Sequence, residues 1–240
     1  MFGKLYDSFL TLAYPQECLV CKNSVEQSRN GIACESCWSK TRIFSGNITL
    51  CHKCGKFHHK EFAEFATYCR ECEDHFYDAA RAAGLYESAL SASILNLKKE
   101  QNVSRKMREV ILDAYARVPF DQADRIVPIP LSKRRYLERG FNQAEIIAKI
   151  LSKETGTPID KKILIRTKHA RVHRAGMDRR GRELTVIKSF EFKGNRKLRG
   201  GNILLVDDVF ASGATASACA KILKKNGAGK VFIFTIARAN

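Results

Sequence analysis

The sharpest change of pattern along the chain falls at Ile203, Leu204, Leu205 and Val206, an unbroken apolar run that gives way to Asp207 and Asp208. A run this short and without alternation predicts a parallel strand covered on both faces. The residues after the acids are small, Ala211, Ser212, Gly213, Ala214 and Thr215, before Ala216, Ala220 and Leu223 take up helical spacing. Upstream, Phe2, Leu5, Phe9 and Leu12 recur at helical spacing until Pro15. Ala79 to Tyr86 predicts a strand and Ala89 to Lys99 a helix. Met107, Val110, Ile111, Tyr115 and Val118 trace the face of another helix, which Pro119 ends. Ile126 to Pro130 reads as extended. From Asn142 a helix turns Ala144, Ile147, Ala148 and Leu151 inward and closes at Thr155 to Pro158. Ile163 to Ile165 and Lys230 to Ala237 predict further strands. Strands alternating with helices predict an α/β fold, a mostly parallel sheet with helices on both faces, running from residue 76 to 240.

Residues 1–75 follow a different logic. After the N-terminal helix come Cys18/Cys21, Cys34/Cys37, Cys51/Cys54 and Cys69/Cys72, four C-x-x-C knuckles. Two such knuckles bring four thiolates to one ion and close a tetrahedral zinc site with no position for water. Eight ligands give two structural Zn2+ ions and a double zinc ribbon. Sequential pairing would group Cys18, Cys21, Cys34 and Cys37 apart from Cys51, Cys54, Cys69 and Cys72; an interleaved arrangement is also open. His52, His58 and His59 are left out, since four sulfurs already complete each site. Cys219, on a helix far from the knuckles, reads as packed core.

Charge adds a partner. The 240 residues carry a formal net charge of +17, which favours polyanions such as nucleic acid or clustered phosphates. With 45% hydrophobic residues the chain can bury a full core. No apolar run approaches the roughly 18 residues of a membrane span, and Met1 to Pro15 lacks the pattern of a secretory signal. The expectation is a cytoplasmic protein without a membrane span, its cysteines on metal and not in disulfides.

Small residues let backbone N–H groups close around a phosphate, and the following helix adds its partial positive charge. Carboxylates repel phosphate, so Asp207 and Asp208 should meet hydroxyls or a metal. A sugar phosphate satisfies both demands. A second cluster, Lys133, Arg134, Arg135 and Arg139, is expected on a loop beyond the strand at Ile126, where open α/β sheets bind ligands. A third, from Arg166 to Glu183, has no apolar periodicity and includes Arg171, Arg174, Arg179 and Arg180, candidates for nucleic-acid contact.

The stretch from Asn202 to Thr215 resembles the phosphoribosyl-pyrophosphate (PRPP) motif of type I phosphoribosyltransferases, with Ala211 and Ser212 where threonines are frequent. Val127-Pro-Ile-Pro-Leu131, the arginines after it, Arg139-Gly-Phe-Asn-Gln-Ala-Glu145 and Leu97-Lys98 look like the ComF family, competence-associated proteins with a double zinc ribbon and a phosphoribosyltransferase-like fold. The resemblance implies PRPP binding, with Mg2+, and a part in handling single-stranded DNA beside the DNA-uptake machinery. Asp207 and Asp208 would hold ribose hydroxyls or the Mg2+ ion and form the catalytic pair. Val209, Phe210 and the loop Ala211 to Thr215 would hold the 5-phosphate, and Lys133, Arg134 and Arg135 the pyrophosphate. The alternative is an active phosphoribosyltransferase of nucleotide salvage. His173, where the family has glutamine, and Thr185, where it has asparagine, depart from the pattern and weaken catalysis by the basic loop. The chain stops at Asn240 directly after its last core strand, leaving only the N-terminal part to form a base-binding hood.

Overall fold

The computed structural model describes residues 16–45, 51–56, 68–116, 120, 122–167, 189–194 and 198–239. The expected helix over Phe2 to Leu12, His58 and His59, and the arginines 171, 174, 179 and 180 lie outside them.

The elements are α1 (Glu35–Ser39), β1 (Ala79–Leu85), α2 (Ser88–Leu97), α3 (Arg105–Tyr115), β2 (Arg125–Pro128), α4 (Lys133–Arg139), α5 (Gln143–Thr155), β3 (Leu164–Arg166), β4 (Phe190–Phe192), β5 (Ile203–Phe210), α6 (Ala214–Lys225) and β6 (Val231–Arg238). Four strands form a parallel sheet in the order β1-β6-β5-β2. β3 and β4 form a separate antiparallel pair. Every residue of β6 is buried, as expected of a central strand. β2 lies at the edge, where a strand tolerates Pro128.

Side-chain alternation splits β5 between two cores. Leu204 and Val206 pack with Ile94 of α2, Ile111 of α3 and Ile147 of α5. Ile203 and Leu205 pack with Cys219 and Leu223 of α6 and with Leu164 and Phe190 of the β3–β4 pair. Helices thus cover both faces, as the alternation of strands and helices predicts. Each ribbon also joins one face: Cys18, Cys34, Cys37 and Trp38 belong to the first core, Cys51, Cys54 and Cys72 to the second.

Three boundaries differ from expectation. β5 runs through Asp207 and Asp208 to Phe210, because pairing with β6 continues from Ile203↔Val231 to Phe210↔Arg238. Ala214 and Thr215 sit in the first turn of α6 and not in a loop. The expected basic loop at Lys133 to Arg139 is a helix, α4, which buries none of its residues. Ser132 caps it by accepting from the Arg135 backbone N–H at 3.4 Å, and Gly140, at φ 77°, ends it in the left-handed region.

The first ribbon is fastened to the free edge of β1. The Phe44 N–H donates to the Ala83 carbonyl at 2.9 Å and the Leu85 N–H to the Arg42 carbonyl at 2.9 Å. Arg42 also grips Glu87 with Nε at 2.8 Å and Nη2 at 2.6 Å. Gly84 makes the approach possible, since a Cβ there would stand 2.5 Å from the Arg42 carbonyl oxygen. Gly84→Ala should therefore cost about 1–3 kcal/mol, seen as a lower urea midpoint with unchanged slope.

Candidate functional site

The cysteines gather in the sequential grouping. Sγ atoms of Cys18 and Cys37 are 3.8 Å apart, and those of Cys21 and Cys34 3.5 Å. In the second set Cys51 and Cys72 are 3.6 Å apart, Cys54 and Cys69 3.4 Å. Zinc–sulfur bonds of about 2.3 Å in a tetrahedron put sulfurs about 3.8 Å apart, so both sets fit zinc. Backbone N–H groups already point at two of the sulfurs: Cys34 N donates to Cys18 Sγ at 3.3 Å and Cys69 N to Cys51 Sγ at 3.3 Å. Burial opposes ionisation of Cys18 and Cys51, yet such backbone donors bring each down to about 6. Cys219 is fully buried under the sheet, as packed core should be.

The acids at the end of β5 stand in unlike surroundings. Asp208 is paired with Lys98, whose Nζ reaches Oδ2 at 3.2 Å from the end of α2. Asp207 turns back to accept from the Asp208 backbone N–H at 2.9 Å. Burial, then the Asp208 charge, raises the Asp207 carboxyl well above the ordinary carboxylate range. Lys98 enters the site from a helix end, a position that favours a cation without any ligand, so its spacing in sequence gave no electrostatic signal.

Beyond Phe210 the chain turns through Ala211, Ser212 and Gly213 into α6. A cavity of about 80 Å³ is lined there by Asp207, Ser212, Gly213, Ala214 and Thr215, with Ile129 of the neighbouring strand's end. Ligand clefts for drug-sized molecules span about 300–1,000 Å³, so this one takes a single small group at the N-terminus of α6. Gly213 has φ 76°, and a Cβ on it would meet Phe210 Cζ at 2.8 Å, His75 Nε2 at 3.1 Å and the Tyr77 hydroxyl at 3.2 Å. His75 and Tyr77 come from the chain just after the second cysteine set, Phe210 from the end of β5. The His75 N–H donates to the Cys72 carbonyl at 3.2 Å, and the His75 ring stacks on Tyr77 at 5.1 Å. Tyr77 meets Phe210 edge-on at 5.9 Å, and the Phe76 N–H donates to Ser217 Oγ of α6 at 3.2 Å. Arg238 lies over the Phe210 ring and donates to the Cys54 carbonyl at 2.7 Å.

Of the basic cluster, Arg134 is held by Glu138 at 2.7 Å and Arg139 by Gln143 at 2.8 Å, whereas Lys133 and Arg135 are exposed on α4. Asn142 links this region to the cavity, donating to the Ile129 carbonyl at 3.0 Å.

Comparison with known proteins agrees with this arrangement. The double zinc ribbon domain family matches residues 9–73. Over 92% of its length the chain is 26% identical to competence protein F of Haemophilus influenzae, covering 96% of that protein. It is 29% identical to competence protein ComFC of Bacillus subtilis over 86% of its length and 84% of that protein. The chain is thus similar to competence proteins over most of its length. It is also 28% identical to the DNA utilization protein YhgH of Escherichia coli, over 95% of its length and 99% of that protein. Among solved structures it is similar to the glutamine PRPP amidotransferase of Bacillus subtilis, at 19% identity and a TM-score of 0.35, over 73% of its length and 33% of that longer chain.

Two expectations follow. Metal analysis should find about two zinc equivalents per chain, and stripping them should unfold the ribbons; one equivalent or none would contradict the pair of sites. Asp207 binds its proton more tightly in the folded chain than unfolded, where its value is 3.8, so stability falls as pH rises through the folded value. Asp207→Asn removes that fall. Its melting temperature should exceed wild type by a margin that widens as pH rises above about 4; a constant margin would contradict the shift.

Proposed function

We propose that this chain is a PRPP-binding, phosphoribosyltransferase-like protein of the ComF family that works in handling single-stranded DNA during DNA uptake. The observation that carries the reading is the small cavity at the N-terminus of α6, with Asp207 in its lining. The N–H groups of the Ala211 to Thr215 turn suit the 5-phosphate, a charge that a helix N-terminus favours. Asp207 and Asp208 suit the ribose hydroxyls, and with Mg2+ as the ligand's counter-ion they would stand close enough to share it. Lys133 and Arg135, exposed at the same edge of the sheet, suit the pyrophosphate. The names of the relatives, two competence proteins and a DNA utilization protein, support the place in DNA uptake. The +17 charge supports a polyanionic partner, as do Lys162 and Lys193 on the rim of a cavity of about 550 Å³ beside the β3–β4 pair.

Titration calorimetry with PRPP and Mg2+ tests the pocket. Wild type should bind, and the double variant Asp207→Asn, Asp208→Asn should lose binding while keeping its zinc and its melting transition. Equal affinity in the double variant would sink the assignment of the loop.

DNA is tested by anisotropy of a labelled single strand across a salt series. Binding should weaken with a log–log slope of about −0.7 per phosphate neutralised, with little sequence preference. Alanine at Arg171, Arg174, Arg179 and Arg180 should flatten the slope; a flat response in wild type would remove DNA from the reading.

A further inference from the structure

The second cysteine set reaches the turn before α6 by two separate routes. One leaves from Cys72: the His75 N–H donates to its carbonyl at 3.2 Å, the His75 ring stacks on Tyr77, and both side chains stand against Gly213. Between them the Phe76 N–H donates to Ser217 Oγ at 3.2 Å, in the first turn of α6. The other route leaves from Cys54, whose carbonyl accepts from Arg238 Nη1 at 2.7 Å. The Arg238 guanidinium lies 4.9 Å from the centroid of Phe210, and the Phe210 ring also reaches Gly213. Tyr77 is buried, and its hydroxyl has no hydrogen-bond partner among the described residues. A buried hydroxyl left unpaired is disfavoured, so Tyr77 stays where it is because its neighbours hold it there. Arg238 is buried as well, and moving the Cys54 carbonyl would leave one of its donors unpaired.

The common anchor of both routes is the metal. Four-thiolate ligands are ordered by their ion, and the free energy of zinc binding is folding energy. The first set is anchored elsewhere: its contacts go to the free edge of β1 and to the core under α2 and α3, on the face of the sheet opposite α6. We propose that zinc in the second set and a phosphate bound at the turn before α6 stabilise one another, so that the second zinc governs ligand affinity and the first does not. The proposal rests on reading that turn as the phosphate cradle. Linkage makes the effect reciprocal: the factor that zinc adds to phosphate affinity, phosphate adds to zinc affinity. Loss of the second zinc would thus release the ligand with no change in the residues that touch it.

Equilibrium competition for zinc between the full chain and a chromogenic chelator tests it, with and without saturating ribose 5-phosphate. The sugar phosphate should tighten one of the two zinc equivalents by about tenfold and leave the other within about twofold. In calorimetry Cys69→Ser, which keeps three thiolates in the second set, should weaken ribose 5-phosphate by about tenfold, whereas Cys21→Ser, the same change in the first set, should leave it within about twofold. His75→Ala combined with Arg238→Met cuts both routes away from the metal; this variant should keep both zinc equivalents and lose the tightening. Where a variant fails to fold, the wild-type competition decides alone. Tightening of both equivalents or of neither overturns the proposal and leaves the cradle standing. So does tightening that persists with both routes cut, or Cys69→Ser binding the sugar phosphate as wild type does. If wild type fails to bind ribose 5-phosphate, the cradle reading fails and takes this proposal with it.

Discussion

A carboxyl group half-buried at the end of a buried strand is the constraint to which the rest of this molecule answers. β5 is buried on both faces from Ile203 to Val206, and its pairing with β6 carries Asp207 out of that core into a partly buried position. An ionised carboxylate in such a place is costly unless it is paired. The fold surrounds it with partial remedies: the Asp208 N–H, the Lys98 ammonium that neutralises the neighbouring acid, and the Arg166 guanidinium. None of these fully balances the charge at the site, which leaves the Arg166 cation and a raised acid beside the cavity. Such residual mismatch is more typical of a binding site than of a structural ion pair.

The two cysteine sets serve this edge unequally. The first joins the core under α2 and α3, where Trp38 donates to the Asn30 carbonyl at 3.0 Å and Thr41 accepts from the Ala89 N–H at 3.1 Å. Its contacts concern β1 and the helix that follows. The second lies on the opposite core, and the chain leaving Cys72 supplies His75 and Tyr77, which with Phe210 of β5 form the wall behind Gly213. Position 213 takes glycine for two reasons, a left-handed φ and a wall that a Cβ there would meet. Zinc in the second set is thereby linked to the cavity through packed rings and not through coordination.

Much of this was legible in the chain. The apolar run at Ile203 and the small residues after it mark strand, turn and helix because burial on both faces and close backbone approach each demand one residue type. The knuckles were equally plain, since tetrahedral sulfur ligation needs pairs at short spacing, and proximity then decided for sequential grouping. What stayed hidden depends on long-range contact. Lys98 and Asp208 are joined across 110 positions by the packing of α2 on the sheet, which no local pattern carries. β3 extends one residue further than its apolar run because Arg166 can lay its charge on Phe190, a partner beyond the aperiodic stretch. The helix at Lys133 to Arg139 was missed because it has no apolar face at all: Tyr136 and Leu137 are 48% and 73% exposed, so periodicity had nothing to report.

That helix changes the meaning of the Arg139 to Glu145 string. Taken from the sequence, its arginine belonged with the phosphate-binding cluster. In the fold, Gly140 ends α4 in the left-handed conformation and Asn142 starts α5 by accepting from the Ala144 N–H at 3.1 Å. The other end of the same Asn142 side chain donates to the Ile129 carbonyl, while Gln143, 2% exposed, holds the Arg139 guanidinium. One amide side chain thus caps a helix and fixes the strand end that lines the cavity, so replacing it would free both at once. The string works first as a rigid corner between β2 and α5, and the exposed Lys133 and Arg135 owe their position at the carboxyl edge of the sheet to that corner.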